Sequence, residues 1–118
     1  YNDAAGVTAR FNLNLLRVMN RRLGAAFELD AFEHVAFYDR QRAWFEMRVR
    51  ASRATRVTMG TAALDLTLER GDELRTEISC KYTRASLSAL LPAASLRLDA
   101  WMTDPEELFA LALLRPQD

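Results

Sequence analysis

Arg75-Thr76-Glu77-Ile78-Ser79-Cys80-Lys81-Tyr82 alternates residue by residue. Successive side chains of a β-strand point to opposite faces. Glu77, Ser79 and Lys81 are therefore expected on one face, and Thr76, Ile78 and Cys80 on the other. A carboxylate and a hydroxyl at alternate positions of a rigid strand can address both nitrogens of an imidazole. Glu77 would accept from one ring N–H, and Ser79 would donate to, or accept from, the other nitrogen. The same alternation also suits an ordinary solvated sheet face, and the pattern by itself serves both.

Upstream of this strand the hydrophobic period is already two. His34 to Tyr38 and Ala43 to Ala51 flank the polar turn Asp39-Arg40-Gln41-Arg42, which predicts a hairpin. In its second arm Phe45, Met47, Val49 and Ala51 take one side, while Glu46, Arg48 and Arg50 take the other. Further strands are predicted at about Thr55–Met59 and Ala63–Leu68, and Gly71-Asp72 turns the chain into a strand from Leu74 to Lys81. The set reads as an antiparallel meander with one wet face. Before it, Ala5 to Leu23 reads as an amphipathic helix. Val7, Phe11, Leu15, Val18 or Met19, and Leu23 recur at helical spacing, and Arg10, Arg17, Arg21 and Arg22 stay off that stripe. Asn2 and Asp3 are candidate caps, and Gly24 suits the residue that ends the helix. Asp30 opens a short turn through Phe32.

Downstream the pattern changes again. Thr83 can cap a helix that runs to about Leu91 and stops near Pro92. Leu96–Met102 and Leu108–Leu114 read as strands separated by Thr103-Asp104-Pro105-Glu106-Glu107. The second of these is apolar on both faces, as in a strand covered on both sides.

Composition narrows the function classes. The 118 residues are half apolar, enough for one domain with a modest core. Sixteen basic and sixteen acidic residues cancel, so no net field draws nucleic acid or an anionic membrane. Arg48, Arg50, Arg53 and Arg56 are interleaved with Glu46, which favours a solvated strand face over a nucleic-acid groove. Cys80 is the single cysteine, so no internal disulfide and no thiol metal site is expected, and a reducing cytoplasm is the default compartment. His34 is the single histidine and is expected to be structural, with no metal bound. Ser86 and Ser88 lack a nucleophile motif. Apolar runs fall short of the roughly 18 residues of a membrane span, and no signal-peptide pattern is visible. Tyr1 stands where an initiator methionine would, so the chain is expected to start within a longer protein.

Four segments taken in order carry a family resemblance. They are the run from Tyr1-Asn2-Asp3 through Phe11-Asn12-Leu13-Asn14-Leu15-Leu16, then Leu29-Asp30-Ala31-Phe32-Glu33-His34, Thr76-Glu77-Ile78-Ser79-Cys80-Lys81-Tyr82, and Trp101-Met102-Thr103-Asp104-Pro105. Together they resemble the C-terminal part of the histidine-specific, S-adenosylmethionine-dependent Nα-methyltransferases, which act in ergothioneine biosynthesis and convert histidine to its trimethylated betaine. The resemblance covers essentially the whole chain, but only the last part of a family member.

That resemblance implies an α/β fold, α+β within this chain. A helix packed on an antiparallel meander would be followed by the last helix and antiparallel strand pair of a Rossmann-like class I methyltransferase sheet. Residues 1–81 would form the substrate-recognition part and residues 82–118 the closing elements. It implies site residues as well. Tyr1 matches a tyrosine whose hydroxyl binds the histidine carboxylate, Met47 a pocket wall beside the imidazole, and Glu77 and Ser79 the imidazole-recognising pair. On the residues alone, Tyr1 reads as a frayed end and Met47 serves as well as an ordinary core methionine. Asn12 and Asn14 receive only helix-packing or capping roles.

The implied reaction is a direct displacement, in which the unprotonated α-amine of L-histidine attacks the sulfonium methyl in line. The protein's task is mostly positioning, and no residue here is assigned as general base. S-adenosylmethionine needs a Gly-rich strand-to-helix turn. Gly6, Gly24, Gly60 and Gly71 are isolated, so the cofactor is expected to bind a part of the protein outside this chain, and the chain alone is expected to be inactive. The alternative is a stand-alone, non-catalytic binding module that reuses the same domain. A methyltransferase for another amino acid is disfavoured by the suitability of Glu77 and Ser79 for imidazole. Alone, the chain is expected to form a homodimer or to swap its terminal strands.

Overall fold

The computed structural model describes residues 1–61 and 63–118. The backbone divides into two compact units, Tyr1–Cys80 and Lys81–Asp118, and each is α+β. In the first, helix α1 (Val7–Leu23) and a short 3-10 turn (Leu29–Ala31) lead into strands β1 (Phe32–Asp39), β2 (Trp44–Ala51), β3 (Thr55–Met59), β4 (Leu64–Leu68) and β5 (Glu73–Cys80). The strands are antiparallel, as expected, with one refinement. β3 and β4 form a two-stranded sheet of their own, which Ala25 joins by a bridge to Met59, and β5 returns to β2 to complete a sheet in the order β1-β2-β5.

Local chemistry sets these boundaries. The Asp39 carboxylate accepts from the N–H groups of Gln41 and Arg42, both at 3.0 Å, and so builds the turn between β1 and β2. Asp3 does the equivalent for α1, accepting from Val7 N at 2.9 Å and Thr8 N at 3.0 Å. Those backbone bonds, that from Thr8 first, lower its pKa to about 2. The helix starts at Val7 rather than Ala5 because Gly6, at φ +70°, is left-handed. Gly24, at φ +61°, ends it as expected.

The buried face of α1 differs from the stripe that periodicity picked out. Asn12 and Leu16 are buried, with Leu13 and Met19 packed against the core, whereas Val7, Phe11, Leu15 and Leu23 are exposed. An asparagine sits at the centre of the core-facing side, and a hydrophobicity pattern does not count it. The core lies between this face, the sheet residues Phe32, Val49 and Ala51, and the β3–β4 residues Val57, Met59 and Leu68. Asn20 extends the polar seam. Its Oδ1 accepts from Phe27 N at 2.8 Å, and its Nδ2 donates to Phe27 O at 2.9 Å.

The second unit contains α2 (Arg84–Leu90), β6 (Leu96–Thr103) and β7 (Ala110–Pro116), the last two paired antiparallel. Thr83 caps α2 reciprocally with Ser86, through Ser86 N to Thr83 Oγ1 at 3.0 Å and Thr83 N to Ser86 Oγ at 2.9 Å. The last strand begins later than its sequence suggests. Asp104 Oδ1 captures the N–H groups of Leu108 (2.8 Å) and Phe109 (3.2 Å), which removes both donors from the ladder. Leu108, Phe109, Leu111 and Leu113 are exposed rather than covered.

Candidate functional site

A β-bulge in β5 breaks the alternation that its sequence displays. Met47 of β2 pairs with Glu77, but the next residue, Arg48, pairs with Arg75, so Thr76 is the extra residue. The bulge takes Thr76 off the Ile78 and Cys80 face. Its hydroxyl donates to Asn12 Oδ1 of α1 at 2.6 Å and lies 3.0 Å from Met47 O. Glu77 and Ser79 remain on one face together, opposite Met47 and Phe45 respectively. Lys81 falls beyond the end of the strand.

An open cleft of about 270 Å³ lies where α1 crosses this face, with Met47, Thr76 and Glu77 on the sheet side. Phe11, Leu15 and Val18 of α1 form the other wall, so the stripe misread as core is the roof of the cleft. Met47 is both core and wall, being 3 % exposed. Tyr1 and Ser79 do not line this cleft but sit one register step along. The Tyr1 ring stacks on Phe45 at 4.4 Å between centroids and 13° between planes, and Phe45 is the residue paired with Ser79. Tyr1 is thus held on the sheet and is not a frayed end. A larger hollow of about 490 Å³ in the second unit, walled by Trp101, Glu107, Leu108 and Phe109 among others, contains none of the four expected residues.

The two faces of the sheet use their carboxylates differently. On the far face Glu46 is buried, and it accepts from Trp44 Nε1 at 3.0 Å and from Arg48 Nε and Nη2 at 2.9 and 2.6 Å. Glu73 accepts from Arg48 and Arg50. Hydrogen bonds from Arg48, foremost in both cases, hold both carboxyls below the usual range. Glu33 pairs with Arg50 at 3.6 Å. Arg53 and Arg56 are also engaged by carboxylates, Glu28 and Asp30 for the first and Asp65 for the second. The Glu77 carboxylate makes no hydrogen bond or ion pair among the described residues, which leaves its oxygens available to a ligand at the cleft rim.

Asn12 is the residue whose importance the sequence understated. Buried at 2 % exposure, its Nδ2 donates to Arg48 O (3.0 Å) and His34 Nδ1 (2.8 Å), while its Oδ1 accepts from Thr76. It therefore ties the helix to all the strands of the β1-β2-β5 sheet. The available signal was a polar residue at i−4 from the buried Leu16. His34 has a structural partner set: besides Asn12, its Nε2 lies 3.0 Å from Tyr1 O. No group of three or more metal-ligating side chains occurs among the described residues. No described helix is long and apolar enough to cross a membrane.

The profile of the family described as histidine-specific methyltransferase, SAM-dependent, matches residues 1–116. A histidine N-alpha-methyltransferase of Mycolicibacterium smegmatis (strain ATCC 700084 / mc(2)155) is 46% identical over 113 residues, which is 96% of this chain and 35% of that protein. One from Mycobacterium tuberculosis (strain CDC 1551 / Oshkosh) is 42% identical over the same shares. The chain spans about a third of the length of these relatives.

Proposed function

Because this chain belongs to the SAM-dependent, histidine-specific methyltransferase family, we propose that it supplies the imidazole-recognising wall of an enzyme that methylates the α-amine of L-histidine. The observation that carries this is the Glu77 carboxylate, without a partner among the described residues, at the rim of the cleft, on the same strand face as Ser79 and against Met47. Glu77 accepts the imidazole N–H, Ser79 addresses the second nitrogen, and the Met47 thioether forms an apolar floor for the ring. Tyr1, beside Ser79 through Phe45, directs its hydroxyl to the substrate carboxylate.

S-adenosylmethionine supplies the transferable methyl group when bound. The residues of this chain do not fit its cradle. Gly6 and Gly24 bracket α1, Gly71 is in a turn at φ +93°, and none of the glycines follows a strand and opens a helix. The remainder of the enzyme binds the cofactor, and the work of this chain is orientation of the substrate.

Calorimetric titration of the full-length protein with L-histidine tests the assignment. Glu77→Ala removes a charge-assisted hydrogen bond of about 1.5–3 kcal/mol and is expected to weaken binding by roughly ten- to over a hundredfold. Ser79→Ala removes a neutral contact of about 0.5–1.5 kcal/mol and should cost less. Unchanged affinity for Glu77→Ala would sink the assignment.

A further inference from the structure

The polar seam beneath α1 extends past the cleft and ends on the backbone of Tyr1. Arg48 O can only accept, so the Asn12 amide must turn its Nδ2 toward it, and that places the second Nδ2 proton on His34 Nδ1. Thr76, donating to Asn12 Oδ1, is satisfied by the same orientation. Nδ1 of His34 is therefore the acceptor, and Nε2 carries the proton. At the far end Tyr1 O, again an acceptor only, lies 3.0 Å from Nε2 and receives that proton. Asn12 selects the tautomer, and the tautomer selects the carbonyl. Asn2 Nδ2, donating to Ala36 O at 3.1 Å, and the Asp3 bonds to α1 hold the residues that follow. His34 holds the peptide plane of Tyr1 itself, and that plane directs the ring onto Phe45 opposite Ser79.

We propose that His34 is a positioning residue for substrate recognition: its Asn12-fixed Nε2–H holds the Tyr1 carbonyl and so sets the Tyr1 ring beside the imidazole wall. This rests on Tyr1 being a substrate contact. A ring that merely filled space would not need a chain of acceptors and donors selecting one tautomer. The arrangement is also economical in sequence terms, because β1 supplies His34 from the same face that α1 covers.

Isosteric halves of the imidazole separate positioning from packing. In His34→Asn a carbonyl oxygen near the Nδ1 position still accepts from Asn12, but nothing reaches Tyr1 O. In His34→Gln an N–H donor near the Nε2 position is kept, and the acceptor for Asn12 is lost. In the full-length enzyme assayed with S-adenosylmethionine and L-histidine, His34→Asn is expected to raise the KM for histidine by about three- to tenfold, the size of one neutral hydrogen bond. Its kcat and its KM for S-adenosylmethionine should change by less than about twofold, and His34→Gln should keep the histidine KM within about twofold of wild type. Equal KM increases that follow the loss of thermal stability, or no increase in His34→Asn, would overturn the proposal. Tyr1→Ala is the control for the underlying reading. If it leaves the histidine KM unchanged, Tyr1 is not a substrate contact. If it raises KM and His34→Asn does not, only the positioning role fails. A long-range 1H–15N spectrum of the wild-type protein needs no variant: the neutral ring must carry its proton on Nε2, and an Nδ1–H tautomer would overturn the proposal.

Discussion

The Thr76 hydroxyl donates a 2.6 Å hydrogen bond to Asn12 Oδ1, joining residues 64 positions apart. This contact exists because the bulge in β5 swings Thr76 toward the helix and leaves Glu77 facing Met47. The bulge thus serves packing and site at once. It anchors α1 over the sheet and opens the cleft whose rim carries Glu77.

Asn12→Leu keeps the side-chain volume of this anchor and removes all of its polar contacts. Arg48 O and His34 Nδ1 would then lack their partner in a part-buried seam. Each buried polar group so orphaned costs about 1–3 kcal/mol, and the combined loss is expected to be about 2–4 kcal/mol. Urea unfolding of the full-length protein measures it. A loss below about 1 kcal/mol would show that the amide is not the anchor described.

The acid side of the stability profile is expected to be set by the far sheet face. Glu46 and Glu73 are depressed below the ordinary 4.5, chiefly by hydrogen bonds from Arg48. Asp3 falls from 3.8 to about 2. A depressed carboxyl contributes stability that is fully present above its unfolded value and is lost as pH falls through its folded value. Stability should therefore decline from about pH 4.5 downward. Glu46→Gln should be less stable than wild type near neutral pH and should converge on it under acid. Urea midpoints that differ by the same amount at every pH would show that protonation of Glu46 is not what acid removes.

The second unit presents Leu108 at 78%, Phe109 at 71% and Leu111 at 63% exposure, beside a strand pair with open edges. Apolar edges of this kind favour self-pairing, and a two-fold arrangement is the commonest closed solution. By itself the chain is expected to sediment as a dimer whose fraction rises with concentration. Phe109→Glu together with Leu111→Lys should shift it toward monomer. A wild-type chain that is monomeric at every concentration would show that this patch tolerates water.

The strand face that carries the candidate site was legible in the sequence. Glu77 and Ser79 alternate on a strand, and alternation survives wherever pairing is regular. The hairpin between β1 and β2 followed from Asp39, whose carboxylate organises its own turn from a few residues away. Less legible was anything that depends on what lies across the fold. The exposed Phe11 and Leu15 looked like core because hydrophobic spacing records which residues are apolar, not which side meets a partner. Asn12 looked like packing or capping because its partners come from β1, β2 and β5.

Sequence by itself determined the strand-forming segments, the glycine that ends α1, the Thr83 cap of α2 and the residue types of the Glu77–Ser79 strand face, because each depends on local backbone sterics and nearby hydrogen bonds. Tertiary structure alone decided the bulge at Thr76, the face that α1 buries and the link from Asn12 through His34 to Tyr1. These depend on donors and acceptors brought together from distant parts of the chain. Such groups select one another only after the helix has docked and water has left, when a buried polar atom must find its partner in the protein.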